Sequence, residues 1–315
     1  MHAEQRGYSL VEFMLAAVLG TLVATLAGYT YLGATRHFKR LQQITGLHDN
    51  GQLAMLSLLR HLRRAGYLGY YAGTGPVLGT AGKHSSGSRC IDGQPGQTLR
   101  LAVTGIDQDT PSRRCPAASA ASYPYATGDL VTVRYARHRT GNGYAANRLY
   151  LRSTLTSARL FSGRRRKHES NRLKTRYPDL ALQQHTFYLS HAQTTACSGT
   201  ATVPVLIDRT MAPNGRLRHR VIADGIEQLQ FQYGVLKKRD LRYRNASAVS
   251  DWNRVVSIRL WLLVRSECPD KTYHRRQTYR LGDYWYSVDD AYRRTLFSTT
   301  VFLPNRYQRV KRHDE

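Results

Sequence analysis

The chain has 315 residues, of which 41% are hydrophobic and 10% aromatic, and its 47 Lys and Arg outnumber 21 Asp and Glu to give a formal charge of +26. This composition can fill a core, so it excludes a chain disordered throughout, and 25 Gly and 10 Pro without a fixed period exclude the collagen-like and low-complexity classes. A positive surplus of this size is typical of proteins that meet an anionic partner, although a surplus made mostly of Arg also arises from genome composition.

The first predicted element is a helix that begins with an apolar stretch of membrane length. A short polar stretch, residues 1–7, opens the chain, and residues 13–35 then contain no charged side chain. At about 1.5 Å per residue this stretch reaches about 34 Å, enough to cross a hydrocarbon layer of about 30 Å. One acid, Glu12, lies at the start of the apolar stretch, where its carboxylate needs a partner that neutralises it.

The residues around this acid resemble the prepilin signature of type IV pilins and pseudopilins. Residues 6–12 read Arg-Gly-Tyr-Ser-Leu-Val-Glu. The resemblance implies that an inner-membrane prepilin peptidase cuts after Gly7 and methylates the new terminal amine of Tyr8, where most members carry Phe. It also implies that Glu12 pairs with the terminal amine of an adjacent subunit and thereby sets the axial register of assembly. A positive amine at the start of a helix is unfavourable, because that end of the helix dipole is itself positive. Pairing with a carboxylate neutralises the amine.

An amphipathic continuation of the helix follows the apolar stretch. Apolar residues recur at helical spacing from Phe38 to Leu62, and Gly66 is a candidate left-handed cap. Residues 49–69 resemble the PilW-type minor pilin, although many members carry an acid where His61 stands. Further segments that resemble this family are 223–234, 255–266 and 293–303.

The remainder of the chain is predicted to be rich in strands. Apolar and polar residues alternate with a period of two through 256–264 and 229–235, as in strands with one buried face. Weaker candidates, bounded by Gly, Pro, Asp or Ser, are 98–104, 129–135, 149–152 and 203–207.

These elements predict an α+β fold, in which a long N-terminal pilin helix, membrane-spanning in its first half, packs on a β-rich C-terminal globular domain. The expected divisions are a prepilin leader at 1–7, a transmembrane and assembly helix at 8–35, its amphipathic continuation at 36–67 and a periplasmic β-rich domain at 68–315.

Four cysteines lie after the membrane helix, on the side that would be exported and oxidised. Of the three pairings that four cysteines allow, we favour Cys90 with Cys115 and Cys197 with Cys268. We expect no metal site, because no C-x-x-C spacing occurs and the 12 His are scattered along the chain. Asp107 and Asp109 have the character of calcium ligands but lack the glycine and terminal glutamate of a full loop.

Catalytic motifs are missing from the sequence. It contains no H-E-x-x-H, no G-x-S-x-G and no glycine-rich phosphate loop. We therefore expect neither an enzyme nor a cofactor.

Two basic segments carry much of the positive charge and are interleaved with tyrosines. Arginine beside aromatic rings suits phosphate contact and base stacking, so DNA is a candidate partner. The alternative is a solvated basic face, or one that fits acidic sister pilins. The residues that would contact nucleic acid are Arg164, Arg165, Arg166, Lys167, Arg172, Lys174 and Arg176 in the first segment and Lys237, Lys238 and Arg239 in the second.

Taken with the resemblance, these features predict a minor pilin that helps to initiate or prime type IV pilus assembly in a tip complex. Its partners would be other minor pilins, the major pilin, the inner membrane and prepilin peptidase. It would lie first in the inner membrane, as a single-pass protein with a periplasmic domain, and then in the pilus at the cell surface. The alternatives are a type II secretion pseudopilin, a DNA-binding minor pilin for natural transformation, and a single-pass membrane protein with an uncleaved anchor.

Overall fold

The computed structural model describes residues 9–71, 77–78, 101–108, 123–139, 143–165, 173–197, 199–211, 217–270 and 272–314. The chain divides into two units, Met1–Gly46 and Leu47–Glu315, and the boundary falls inside the first helix. The long apolar N-terminal helix and the β-rich remainder confirm the predicted α+β class.

Helix α1 spans Leu10–Arg64 without interruption. Glu12 lies in its first turn and Arg63 and Arg64 in its last turn, and both charges suit the helix dipole. The helix ends where the sequence predicts, because Gly66 has φ +74° and its N–H donates to the carbonyl of Arg134 at 2.9 Å.

Within the described ranges the larger sheet contains eight strands. In order across the sheet they run β1-β5-β4-β6-β3-β2, and β7 pairs with β6 and with β8. Pairing is antiparallel except between β1 and β5. The strands are β1 Val77–Leu78, β2 Val103–Ile106, β3 Leu130–His138, β4 Leu149–Ser153, β5 Ala158–Ser162, β6 Leu180–Thr194, β7 Ala201–Met211 and β8 Leu217–Asp224.

The smaller sheet has four antiparallel strands in the order β10-β9-β11-β14, and a separate hairpin joins β12 to β13. The strands are β9 Ile226–Lys237, β10 Asp240–Arg244, β11 Val255–Arg265, β12 Arg275–Leu281, β13 Tyr284–Asp290 and β14 Arg294–Phe302. A second helix, α2, spans Pro304–Asp314, and short 3-10 helices occupy Gly163–Arg165, Ala246–Ala248 and Trp252–Arg254.

One core joins the last turns of α1 to both sheets. Ala54, Leu58 and Leu62 recur on one face of the helix and are fully buried. They belong to the same cluster as Phe187 of β6 and Leu260 of β11, so the helix, the larger sheet and the smaller sheet share their apolar interior.

Strand β6 is the longest strand and lacks the alternation expected of a half-buried strand. Residues 185–190 are all buried, because β6 is covered on both faces. Its polar groups have partners: the Thr186 and Thr132 hydroxyls lie 3.0 Å apart, and the Ser190 hydroxyl donates to the carbonyl of Pro124 at 2.5 Å. A strand buried on both faces gives no period-two signal, which explains why the sequence did not predict it.

Candidate functional site

The first half of α1 presents apolar side chains on every side. The large hydrophobic residues between Leu10 and Leu32 are 55% to 80% exposed. Among the described residues α1 is the one helix long and apolar enough to cross a membrane. Such a continuous exposed apolar surface is typical of a helix whose surroundings are lipid or other apolar helices.

The threonines of this stretch satisfy their hydroxyls within the helix. Thr21 donates to the carbonyl of Val18 at 2.9 Å, and Thr30 donates to that of Ala27 at 2.9 Å. Thr25 and Thr35 bond to carbonyls one turn back in the same way. No threonine hydroxyl of the stretch therefore needs water, which suits the interior of a bilayer.

Glu12 lies at the exposed start of this helix. Its Oε2 accepts a hydrogen bond from the backbone N–H of Ser9 at 3.2 Å, as a carboxylate in a first helical turn can do. Within the described part of the chain no cation lies within ion-pair distance of this carboxylate. Gly7 and Tyr8, where the sequence predicts cleavage and methylation, lie outside the described residues.

A buried polar network joins the C-terminal part of α1 to the larger sheet. Nδ1 of His61 lies 2.9 Å from the hydroxyl of Tyr135 on β3, and the rings of His61 and His185 are 4.0 Å apart. Nδ1 of His185, on β6, lies 2.9 Å from Asp208 on β7. Arg220 on β8 donates to the other oxygen of Asp208 at 3.1 Å. The network thus links a helix residue to four strands.

Burial controls the protonation of this network. Burial, reinforced by the neighbouring imidazole of His185, lowers the pKa of His61 to about 3. Burial alone would raise the pKa of Asp208, but the hydrogen bond from His185 and the nearby charges hold it below its usual value. His61 is therefore neutral at pH 7 and Asp208 is charged.

The same three side chains are the described residues that could hold a metal ion. One ligand atom from each of His61, His185 and Asp208 lies within 4.8 Å of the other two. Each is already engaged by a protein partner, so we interpret the cluster as a junction between helix and sheet. Sequence reasoning missed it because the residues come from α1, β6 and β7, and no local spacing connects them.

A disulfide joins the two sheets. Cys197, in the loop between β6 and β7, is bonded to Cys268, which follows β11, and their Cα atoms are 5.5 Å apart. Cys90 and Cys115 lie outside the described residues.

Asp107, a candidate calcium ligand in the sequence, instead holds backbone groups, and Asp129 does the same. Asp107 accepts hydrogen bonds from the N–H groups of Ala246 and Ser247, each at 2.8 Å. Asp129 accepts from Phe231 at 2.7 Å, and burial raises the pKa of this carboxyl to about 7. Asp109 lies outside the described residues. Asp107 and Asp129 therefore connect segments of the two sheets.

The two basic segments lie on different sheets. Arg164 and Arg165 form part of the 3-10 helix after β5, and Lys174 and Arg176 precede β6. The second segment forms the turn between β9 and β10, where Lys238 has φ 57°. The structure thus does not bring the two segments together in one sheet. Arg166, Lys167 and Arg172 lie outside the described residues.

Comparison with known proteins gives one family. Residues 186–305 match the family model of PilW, described as Type IV Pilus-assembly protein W. The match runs from β6 to the start of α2 and includes three of the four segments on which the resemblance was based, so it confirms that resemblance for this part of the chain. No curated protein and no solved structure matches the chain.

Proposed function

We propose that this chain, which residues 186–305 mark as a PilW-type pilus protein, is a minor pilin that helps to initiate type IV pilus assembly. Prepilin peptidase removes residues 1–7 and methylates Tyr8. The apolar helix holds the chain in the inner membrane, with the β-rich domain in the periplasm, and then packs among the helices of other minor pilins and the major pilin in a tip complex.

The exposed apolar half of α1 is the observation that carries this proposal. Its large hydrophobic residues are exposed on all sides and its threonine hydroxyls bond within the helix. In the membrane lipid covers this surface, and in a filament neighbouring helices cover it. Because lipid tails are as apolar as leucine, packing and the pairing of polar groups select the neighbours.

Glu12 is the polar group whose pairing determines which helices pack beside α1. A carboxylate deep in a bilayer costs about 2.5–3.5 kcal/mol on insertion scales, so an unpaired Glu12 favours any position that brings a cation to it. The terminal amine of an adjacent subunit is such a cation, and its pairing with Glu12 fixes the axial offset between neighbours. The match to a pilus assembly family favours this role over that of a type II secretion pseudopilin.

Replacing Glu12→Val tests the role of this carboxylate. We expect the variant to insert into the membrane as well as the native chain but to enter pili poorly, because the helix stays apolar and loses its pairing group. Immunoblots of membrane and sheared-pilus fractions measure both quantities. Glu4→Val is the matched control, since it makes the same change in the leader that is removed, and native incorporation of the Glu12 variant would contradict the assignment.

A further inference from the structure

An open cleft of about 400 Å³ lies at one end of the larger sheet, beside the first basic segment. It is bounded by the end of β3, by β4 and by the chain that leads into β6. The side chains on which the argument depends are Arg139, Tyr144, Arg152, Lys174, Tyr177 and Asp179.

The carboxylate in this cleft is neutralised by its neighbours. Asp179 is 7% exposed, and Arg152 donates to both of its oxygens at 2.7 Å. The hydroxyl of Tyr144 donates to one of the same oxygens at 2.5 Å. Asp179 and Arg152 therefore cancel each other, which leaves the cleft with the positive charge of Arg139 and Lys174.

These two cations lie at the rim, beside aromatic rings. Lys174 is exposed, and the guanidinium of Arg139 lies 4.0 Å from the centre of the Tyr144 ring. Among the described residues, the carbonyl of Gly143 accepts a long hydrogen bond of 3.5 Å from Arg139. A guanidinium held over a ring is already placed, so it loses little side-chain entropy when it binds an anion.

A pair of stacked tyrosines continues the cleft. The rings of Tyr177 and Tyr70 are nearly parallel, with an angle of 18° and centres 4.1 Å apart, and Tyr70 is 46% exposed. The guanidinium of Arg176 lies 5.4 Å from the centre of the Tyr177 ring. The pair therefore places flat aromatic surface beside the positive charge of Arg176.

We propose that this cleft binds single-stranded nucleic acid, with Arg139 and Lys174 at the phosphates and the Tyr70–Tyr177 pair stacked on a base. Rings that stack a base beside basic groups that follow the backbone are the two components of single-strand binding. A duplex fits this arrangement less well, because its bases are stacked on each other and do not reach a tyrosine. The site is independent of the role of α1 in assembly.

Binding by the full chain in detergent tests this site. The probes are a fluorescent oligo(dT), an abasic sugar-phosphate oligomer of equal length and the corresponding duplex, each titrated at low and rising salt. We expect oligo(dT) to bind most tightly and the abasic oligomer more weakly, because only the former can stack. The affinity for both oligomers should fall as the salt concentration rises, because binding releases counterions from the phosphates.

Two variants separate charge from stacking. Lys174→Ala should weaken the binding of oligo(dT) and of the abasic oligomer alike, and lower the slope of log affinity against log salt by about 0.7. Tyr177→Ala should weaken oligo(dT) binding by about tenfold and leave the abasic oligomer unchanged. Arg276→Ala removes a charge from an exposed position on β12, outside both basic segments, and should have no effect.

Three results would overturn the proposal. They are no oligonucleotide binding at low salt, equal binding of oligo(dT) and the abasic oligomer by the native chain, and native affinity in the Lys174 variant. Lys174 is exposed, so its replacement leaves the fold intact, and thermal unfolding of the Tyr177 variant identifies any loss of structure.

Discussion

At the scale of single residues, the stability of the helix junction depends on the neutral state of His61. Its pKa is about 3 in the folded chain, because burial and His185 disfavour the charged imidazole, whereas an unfolded histidine titrates near pH 6.5. Between these values the unfolded chain binds a proton that the folded chain does not. This group therefore lowers the free energy of unfolding as pH falls below about 6.5 and has no such effect above it.

We expect this one group to remove about 2 kcal/mol from the free energy of unfolding between pH 7 and pH 5. Denaturant unfolding of the full chain in detergent at several pH values measures the slope of the free energy of unfolding against pH. His61→Gln, which does not titrate, should flatten the slope in this window, and the control His138→Gln, at an exposed position, should leave it unchanged. Equal slopes in the native and His61→Gln chains would show that the buried imidazole does not control acid stability.

At the scale of elements, α1 approaches the smaller sheet through a glycine. A Cβ on Gly51 would lie 2.3 Å from the ring of Phe297 on β14, whereas a Cβ on Gly46 would meet nothing within 4 Å. Alanine improves helix propensity by about 1 kcal/mol at either position, but at Gly51 the packed ring must move. Gly51 therefore fixes how closely the helix and the sheet can pack.

Alanine should affect stability differently at these two positions. We expect Gly46→Ala to leave the midpoint of thermal unfolding unchanged or raise it, and Gly51→Ala to lower it, with an overpacking cost of about 1–3 kcal/mol. Circular dichroism of the full chain measures both. If the two substitutions shift the midpoint equally, Phe297 has room to move and the close approach is not a constraint.

Local pattern predicted the strands in which apolar and polar residues alternate, and the helix end that has a clear cap. The alternation at 256–264 and 229–235 became β11 and β9, and the helix ends at Gly66 as its cap position indicated. Strand β2 begins at Val103, so residues 101–102 of the predicted strand are not in it, and residues 98–100 lie outside the described residues. Strand β6 was missed because polar residues, among them His185, Thr186 and Ser190, occupy buried positions along it. Helix α2 was missed because its basic sequence contains few apolar residues, chiefly Tyr307 and Val310.

The same limit applies to the sites. The signature at 6–12 is local, so the sequence alone predicts a role for Glu12. The His61 network and the cleft at Arg139 and Lys174 depend instead on pairings between distant segments. Tyr70 and Tyr177 are more than a hundred residues apart and meet only through the fold. Their contact cannot be inferred from spacing in one sequence.

At the scale of the whole molecule, the positive surplus lies outside the leader and the apolar helix. Glu4 cancels Arg6 in the leader, and Glu12 is the only charged residue from 8 to 35. The excess therefore belongs to residues 36–315, which the proposed topology exports. A basic exported domain, cross-linked between its sheets by Cys197 and Cys268, suits contact with anionic partners outside the cytoplasm.

The amino terminus of the chain recovered from sheared pili tests the central claim most directly. Mass spectrometry of the terminal peptide should identify a chain that begins at Tyr8 and carries one methyl group on its terminal amine. A chain that retains residues 1–7 and occurs only in the membrane fraction would contradict the assignment as a pilin and indicate an uncleaved membrane anchor.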